Sequence, residues 1–144
     1  MHGITDNLEI RVVGAAVSAG ATIDSNSTII DMQDYESVAF VTNIADSVAT
    51  GVAALVIQQS DTNSDGGMAS VSDTTATATC AVNDDLNGKA LMSELRHPAK
   101  RYVQATRTSV TANIAYGEVI AILKPRRLPV TQGATIADSV YLSN

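Results

Sequence analysis

The sequence predicts an all-β fold: a β-sandwich or jelly-roll-like domain over residues 1–124 and an extended C-terminal arm over 125–144. Three observations carry this. Val, Ile, Thr and Ser recur in short runs broken by Gly, Asn and Asp, the pattern of strands and their turns. Helix signals are weak throughout. From Lys124 onward the chain changes character, with Pro125 and Pro129 blocking both a helix and a central strand. A length of 144 residues suits one domain with a terminal extension, and an apolar fraction of 45% excludes disorder by lack of hydrophobicity.

The elements follow in order. Leu8, Ile10 and Val12 alternate with Glu9 and Arg11, predicting an amphipathic strand that ends at Gly14 with the aliphatic residues on its buried face. Residues 21–32 read as a strand pair, or one irregular strand, interrupted near Asp24–Ser27. Residues 35–44 form a strand around Val38, Phe40 and Val41, and residues 51–60 form another. Residues 61–67 make a turn, with weaker strands near 68–72 and 76–82. Asn87-Gly88 signals a tight turn. Residues 89–96 read as strand or short helix, closed by His97-Pro98. Residues 100–108 and 116–123 are the last two strands.

Some strands are apolar on both faces. In 119–123, Val119, Ala121 and Leu123 oppose Ile120 and Ile122, and 52–57 behaves alike. A free-standing two-layer sandwich wets one face of each strand, so these outer faces are either tolerated or covered by an arm, a loop or another subunit. The core must be built from small side chains, since there is no Trp and one Phe. Each buries little area at roughly 25 cal/mol per Å², which favours burial against neighbouring subunits. The arm holds Val130, Ile136, Val140, Tyr141 and Leu142 for docking, and its roughly 21 residues reach about 70 Å when extended.

Residues 1–85 carry twelve of the fifteen acids and a single base, Arg11, for a net −11; residues 86–144 are net +5. The two parts neutralise each other within one fold or steer subunits together. The overall net charge of −6 argues against nucleic acid as a partner. No apolar run approaches the roughly 20 residues that span a bilayer, so no membrane partner is expected. The opening residues lack a secretory pattern, which predicts synthesis in the cytosol.

No catalytic constellation emerges, and no enzyme activity or cofactor is expected. Asp61-Thr62-Asn63-Ser64-Asp65-Gly66 matches the opening of a calcium loop, but its twelfth position is Ser72 instead of the bidentate Glu. Asp61, Asn63 and Asp65 are therefore read as a plain turn, with a weak cation site as the alternative. His97 reads as a turn residue, and His2 lies near a terminus. Cys80 is a lone small core residue. Arg101 and Arg107 alternate with Tyr102, Gln104 and Thr106, giving either a solvated face or one suited to an acidic surface.

Three segments together resemble a known group. They are Lys100-Arg101-Tyr102-Val103-Gln104, the apolar strand Gly117–Leu123, and Pro125-Arg126-Arg127-Leu128-Pro129. Upstream, Asp34–Phe40 and the strand ending Gln58-Gln59-Ser60-Asp61 fit the same pattern. The chain resembles the head decoration (cement) proteins of tailed phages, in which Gln104 often stands as Arg. That resemblance implies a homo-oligomer, a trimer foremost, that binds the major capsid protein on the virion surface. The residues themselves place the expected contacts at Lys100, Arg101, Tyr102, Arg126 and Arg127, which bracket the last two strands, and at the arm's Val140, Tyr141 and Leu142. A tail or baseplate component and a surface carbohydrate-binding sandwich are the rival readings.

Overall fold

The structure, a computed structural model, describes residues 3–142. His2 and the last two arm residues, Ser143 and Asn144, lie outside the described residues. The chain is 51% strand and 5% helix. A single turn of helix, α1 (Ile4–Asn7), precedes β1 (Glu9–Gly14), β2 (Val17–Gly20), β3 (Asp24–Asn26), β4 (Ile30–Asp31), β5 (Tyr35–Ser47) and β6 (Val52–Ser60). Then come β7 (Ala69–Ser70), β8 (Ala76–Thr79), β9 (Ala90–Arg96), β10 (Tyr102–Val110) and β11 (Ile114–Pro125). Residues 89–96, open between strand and helix by sequence, are strand.

Two antiparallel sheets face each other. Sheet A runs β1–β11–β5–β9, with β2 beside β11; sheet B runs β3–β10–β6–β7, with β4 against β10 and β8 against β6. The long strands β5, β6, β9, β10 and β11 alternate between sheets, apart from the short β7 and β8, so chain-distant segments stack across the core. Strand periodicity decides what is buried. Val38, Phe40 and Ile44 from β5 meet Ala53, Leu55 and Ile57 from β6, while Val103 and Ala105 face Val119, Ala121 and Leu123.

One expectation is reversed at β1. Its inward residues are Glu9, Arg11 and Val13, in register with Leu123, Ala121 and the bulge beyond, while Ile10 and Val12 face outward. The polar pair is tolerated inside because it closes on itself. Arg11 Nε donates to Glu9 Oε1 at 2.6 Å, Arg11 Nη2 donates to Tyr35 Oη at 2.7 Å, and the Tyr35 hydroxyl donates to Glu9 Oε2. Burial pushes the Glu9 carboxyl up, but the bonds from Arg11 and Tyr35 outweigh it and hold it below the usual carboxylate range.

Arg107 is the second correction. It lies on neither a solvated nor an interaction face, because its β10 position points between the sheets and it is 1% exposed. Its Nη1 donates to Gly117 O at 2.6 Å, and its Nη2 donates to Ala15 O at 2.8 Å and Ser25 Oγ at 3.1 Å. The guanidinium stands 5.7 Å from the centre of the Tyr116 ring. Carbonyl oxygens, the Ser25 hydroxyl and a ring face thus replace water around the charge.

The C-terminal segment continues β11 as far as Pro125 and then loses regular structure. It returns along β1 of its own chain. Gln132 Oε1 accepts from Ile10 N at 2.9 Å and Thr135 Oγ1 from Val12 N at 3.2 Å, so side chains cap the outer edge of that strand. Gln132 Nε2 also donates to Thr5 O and Leu8 O, and Val130 N to Asp6 O.

Candidate functional site

One end of the sandwich collects the turns 31–36, 60–68 and 96–102 together with the exit of β11 at 124–127. Antiparallel pairing puts them there, since β5 and β10 begin where β6, β9 and β11 finish. A groove of about 580 Å³ is lined by Gln33, Asp34, Tyr35, Pro125, Arg126 and Arg127. A neighbouring hollow of about 210 Å³ shares Gln33 and Arg126 with it and adds Lys100 and Arg101. Four of the basic residues singled out from the sequence therefore meet at one place, although about 25 residues of chain separate the two pairs.

Their surroundings differ. Arg101 forks onto Asp31, Nε to Oδ1 at 3.0 Å and Nη2 to Oδ2 at 2.7 Å, and its guanidinium stands 5.3 Å from the centre of the Tyr102 ring. The hydrogen-bonded Arg101 holds the Asp31 carboxyl below its ordinary range. Lys100 reaches Asp61 at 2.5 Å, and Lys124 reaches Glu36 at 3.0 Å. Arg126 is fixed through its backbone, whose N–H donates to Asp34 O at 2.9 Å. The side chains of Arg126 and Arg127 are exposed and form no ion pair among the described residues. Two bound cations and two unpaired ones beside a groove suit a carboxylate-bearing partner, with Arg126 and Arg127 supplying forked donors.

The structure does not bring the arm's apolar end into this groove. Val140, Tyr141 and Leu142 are 80%, 48% and 79% exposed. The Tyr141 ring lies against Gly3, where an added Cβ would come within 2.8 Å of it. In the 61–67 loop the candidate cation residues are drawn in different directions. Asp61 turns to Lys100, while Asp65 Oδ1 accepts from Gln104 Nε2 at 2.8 Å and Asn26 Nδ2 at 2.7 Å. No cluster of three metal-ligating side chains occurs among the described residues. That loop instead roofs part of sheet B, which explains why Gln104 is buried on an outward face.

Sequence reasoning missed the Glu9–Arg11–Tyr35 cluster, whose Tyr35 lines the groove. The signal was present in the spacing: Glu9 and Arg11 are two apart, so on a strand they share a face.

No family model matches the chain, and no curated protein matches it in sequence. Among solved structures, the crystal structure of the PBSX exported protein XepA superposes on 99% of this chain and 46% of its own, with a TM-score of 0.54 and 13% identity. The chain thus spans less than half the length of XepA, and the likeness is one of fold. A CBM4 structure aligns over 85% of this chain and 88% of its own, at a TM-score of 0.40 and 11% identity.

Proposed function

We propose that this chain is a non-catalytic structural virion protein, a homo-oligomeric head decoration subunit that grips the major capsid protein with the basic end of its sandwich. One observation carries the reading. The two segments on which the phage resemblance rests most, Lys100–Gln104 and Pro125–Pro129, border adjoining hollows at one end of the fold. Arg126 and Arg127 remain unpaired within the described residues, available for carboxylates of a partner. A sandwich shared with XepA of phage PBSX agrees with this setting.

Co-sedimentation with empty heads assembled from the major capsid protein of the same phage tests the proposal. The purified chain is expected to pellet with the heads, and Arg126→Glu/Arg127→Glu to weaken this at least about tenfold with an unchanged β circular dichroism spectrum. A chain that never pellets with heads, or a double variant that binds as well as the parent, defeats it.

A further inference from the structure

The two outer faces of the sandwich are chemically unlike. On sheet B the outward side is mixed: Thr108, Gln58, Thr77 and Thr79 stand among Val52, Ala54 and Val56, while Gln104 and Thr106 are covered. On sheet A, strand register lines up two rows across four strands. Val12, Ile120, Val41 and Met92 form one, and Ile10, Ile122, Ala39 and Glu94 the other. Met92 is 65% exposed, Val12 40% and Ile120 38%. The arm shelters only the β1 margin, where Ile136 lies near Ile10.

Charge decides what fits on this face. The outward residues of β11 read Glu118, Ile120, Ile122, Lys124, an acid at one end and a base at the other. We propose that the outer face of sheet A docks on the same face of a second copy of this chain. The two-fold axis lies in the interface, across the strands. Each strand then runs antiparallel over its own copy. Glu118 meets Lys124 of the other copy twice, Ile120 meets Ile122, Val41 meets Ala39, Val12 meets Ile10, and at the margin Met92 meets Glu94, whose carboxylate is paired with Arg96. Lys124 already touches Glu36, and its exposed ammonium has donors left for a second acid. A two-fold axis along the strands would put Lys124 on Lys124 and is disfavoured by the same charges.

Four strands at about 4.8 Å and seven residues at about 3.4 Å give a face of roughly 450 Å², so the pair covers roughly 900 Å². That lies below the area of a standard stable interface and in the range of weak, transient pairings. An assembly built on this contact holds an even number of subunits, against the trimer implied by the resemblance.

The test needs no capsid, so its failure is distinct from failure of the decoration reading. Light scattering on the full chain from about 1 to about 500 µM should show a dimer or a multiple of it. Ile120→Lys should raise the dissociation constant at least about tenfold, because each copy would bury an unpaired ammonium against Ile122 of the other. Glu118→Lys alone should weaken pairing, and Glu118→Lys/Lys124→Glu should restore it. Thr77→Lys, on the outer side of sheet B, should change nothing. A monomer at every concentration, a trimer, or a dimer indifferent to Ile120→Lys overturns the proposal.

Discussion

Arg107 shows how a single residue is committed by its neighbours. Its donors satisfy Gly117 O, Ala15 O and Ser25 Oγ, which tie β10 to β11, to the turn after β1 and to β3. Removing it would leave Gly117 O with only the long Thr42 hydroxyl bond and open a cavity between the sheets, so Arg107→Ala is expected to destabilise by about 3 kcal/mol in urea denaturation. The other test at this scale concerns Tyr116, 1% exposed, whose hydroxyl donates to Thr108 O at 2.6 Å and accepts from Ala54 N at 3.1 Å. Burial pushes its pKa up to about 12. The unfolded chain loses this proton near pH 10 and the folded chain two units later. The contribution is therefore complete below pH 10 and is lost as pH rises toward 12, by roughly 2–3 kcal/mol in all. Denaturation curves between pH 9 and 11.5 should show the decline, and Tyr116→Phe should flatten it. An equally steep decline in the Phe variant would refute the assignment.

At the scale of elements, β1 is an edge strand whose outer amides are capped by side chains of the arm instead of by another strand. Gln132 accepts from Ile10 N and also donates to Thr5 O and Leu8 O, just ahead of the strand. Gln132→Ala should speed amide exchange at Ile10 while costing only about 1–2 kcal/mol globally. Deleting residues 128–144 should keep the β circular dichroism signal, because the described residues 128–142 contribute no strand, and should expose an edge prone to pairing. Loss of the β signal would make the arm part of the folding core. In the 61–67 loop, Asp61 and Asp65 are already bonded to Lys100, Gln104 and Asn26, so calorimetric titration should find no calcium binding tighter than about millimolar. A tight signal abolished by Asp61→Ala would contradict this.

The whole molecule is assembled from contacts between distant parts of the chain: β1 lies on β11, and β5 on both β11 and β9. Each pairing closes a long loop before it is rewarded, so refolding is expected on the millisecond-to-second scale. Stopped-flow fluorescence of the tyrosines would detect it, and a microsecond phase accounting for all amplitude would not fit this topology. The same topology gathers Lys100, Arg101, Arg126 and Arg127 at one end. It also lines up aliphatic residues of four strands across the outer side of sheet A.

What the sequence determined by itself was the all-β class and the places of most strands, because period-two alternation and Gly/Asn/Asp punctuation are local. Strands at 35–44 and 51–60 were legible from Val38–Val41 and Val52–Ile57 for that reason, short of the last three residues of β5, and so was the apolar character of both sides of 119–123. Tertiary structure decided which of two plausible faces went inward. At β1 the aliphatic side lost to Glu9, Arg11 and Val13, because Tyr35, far along the chain, completes the hydrogen bonds that make a buried ion pair tolerable. At β10 a charged side chain was buried because the carbonyls of Ala15 and Gly117 happen to converge there. Register across four strands likewise turned scattered aliphatic residues into a continuous face. Such outcomes depend on long-range partners, which no local period encodes.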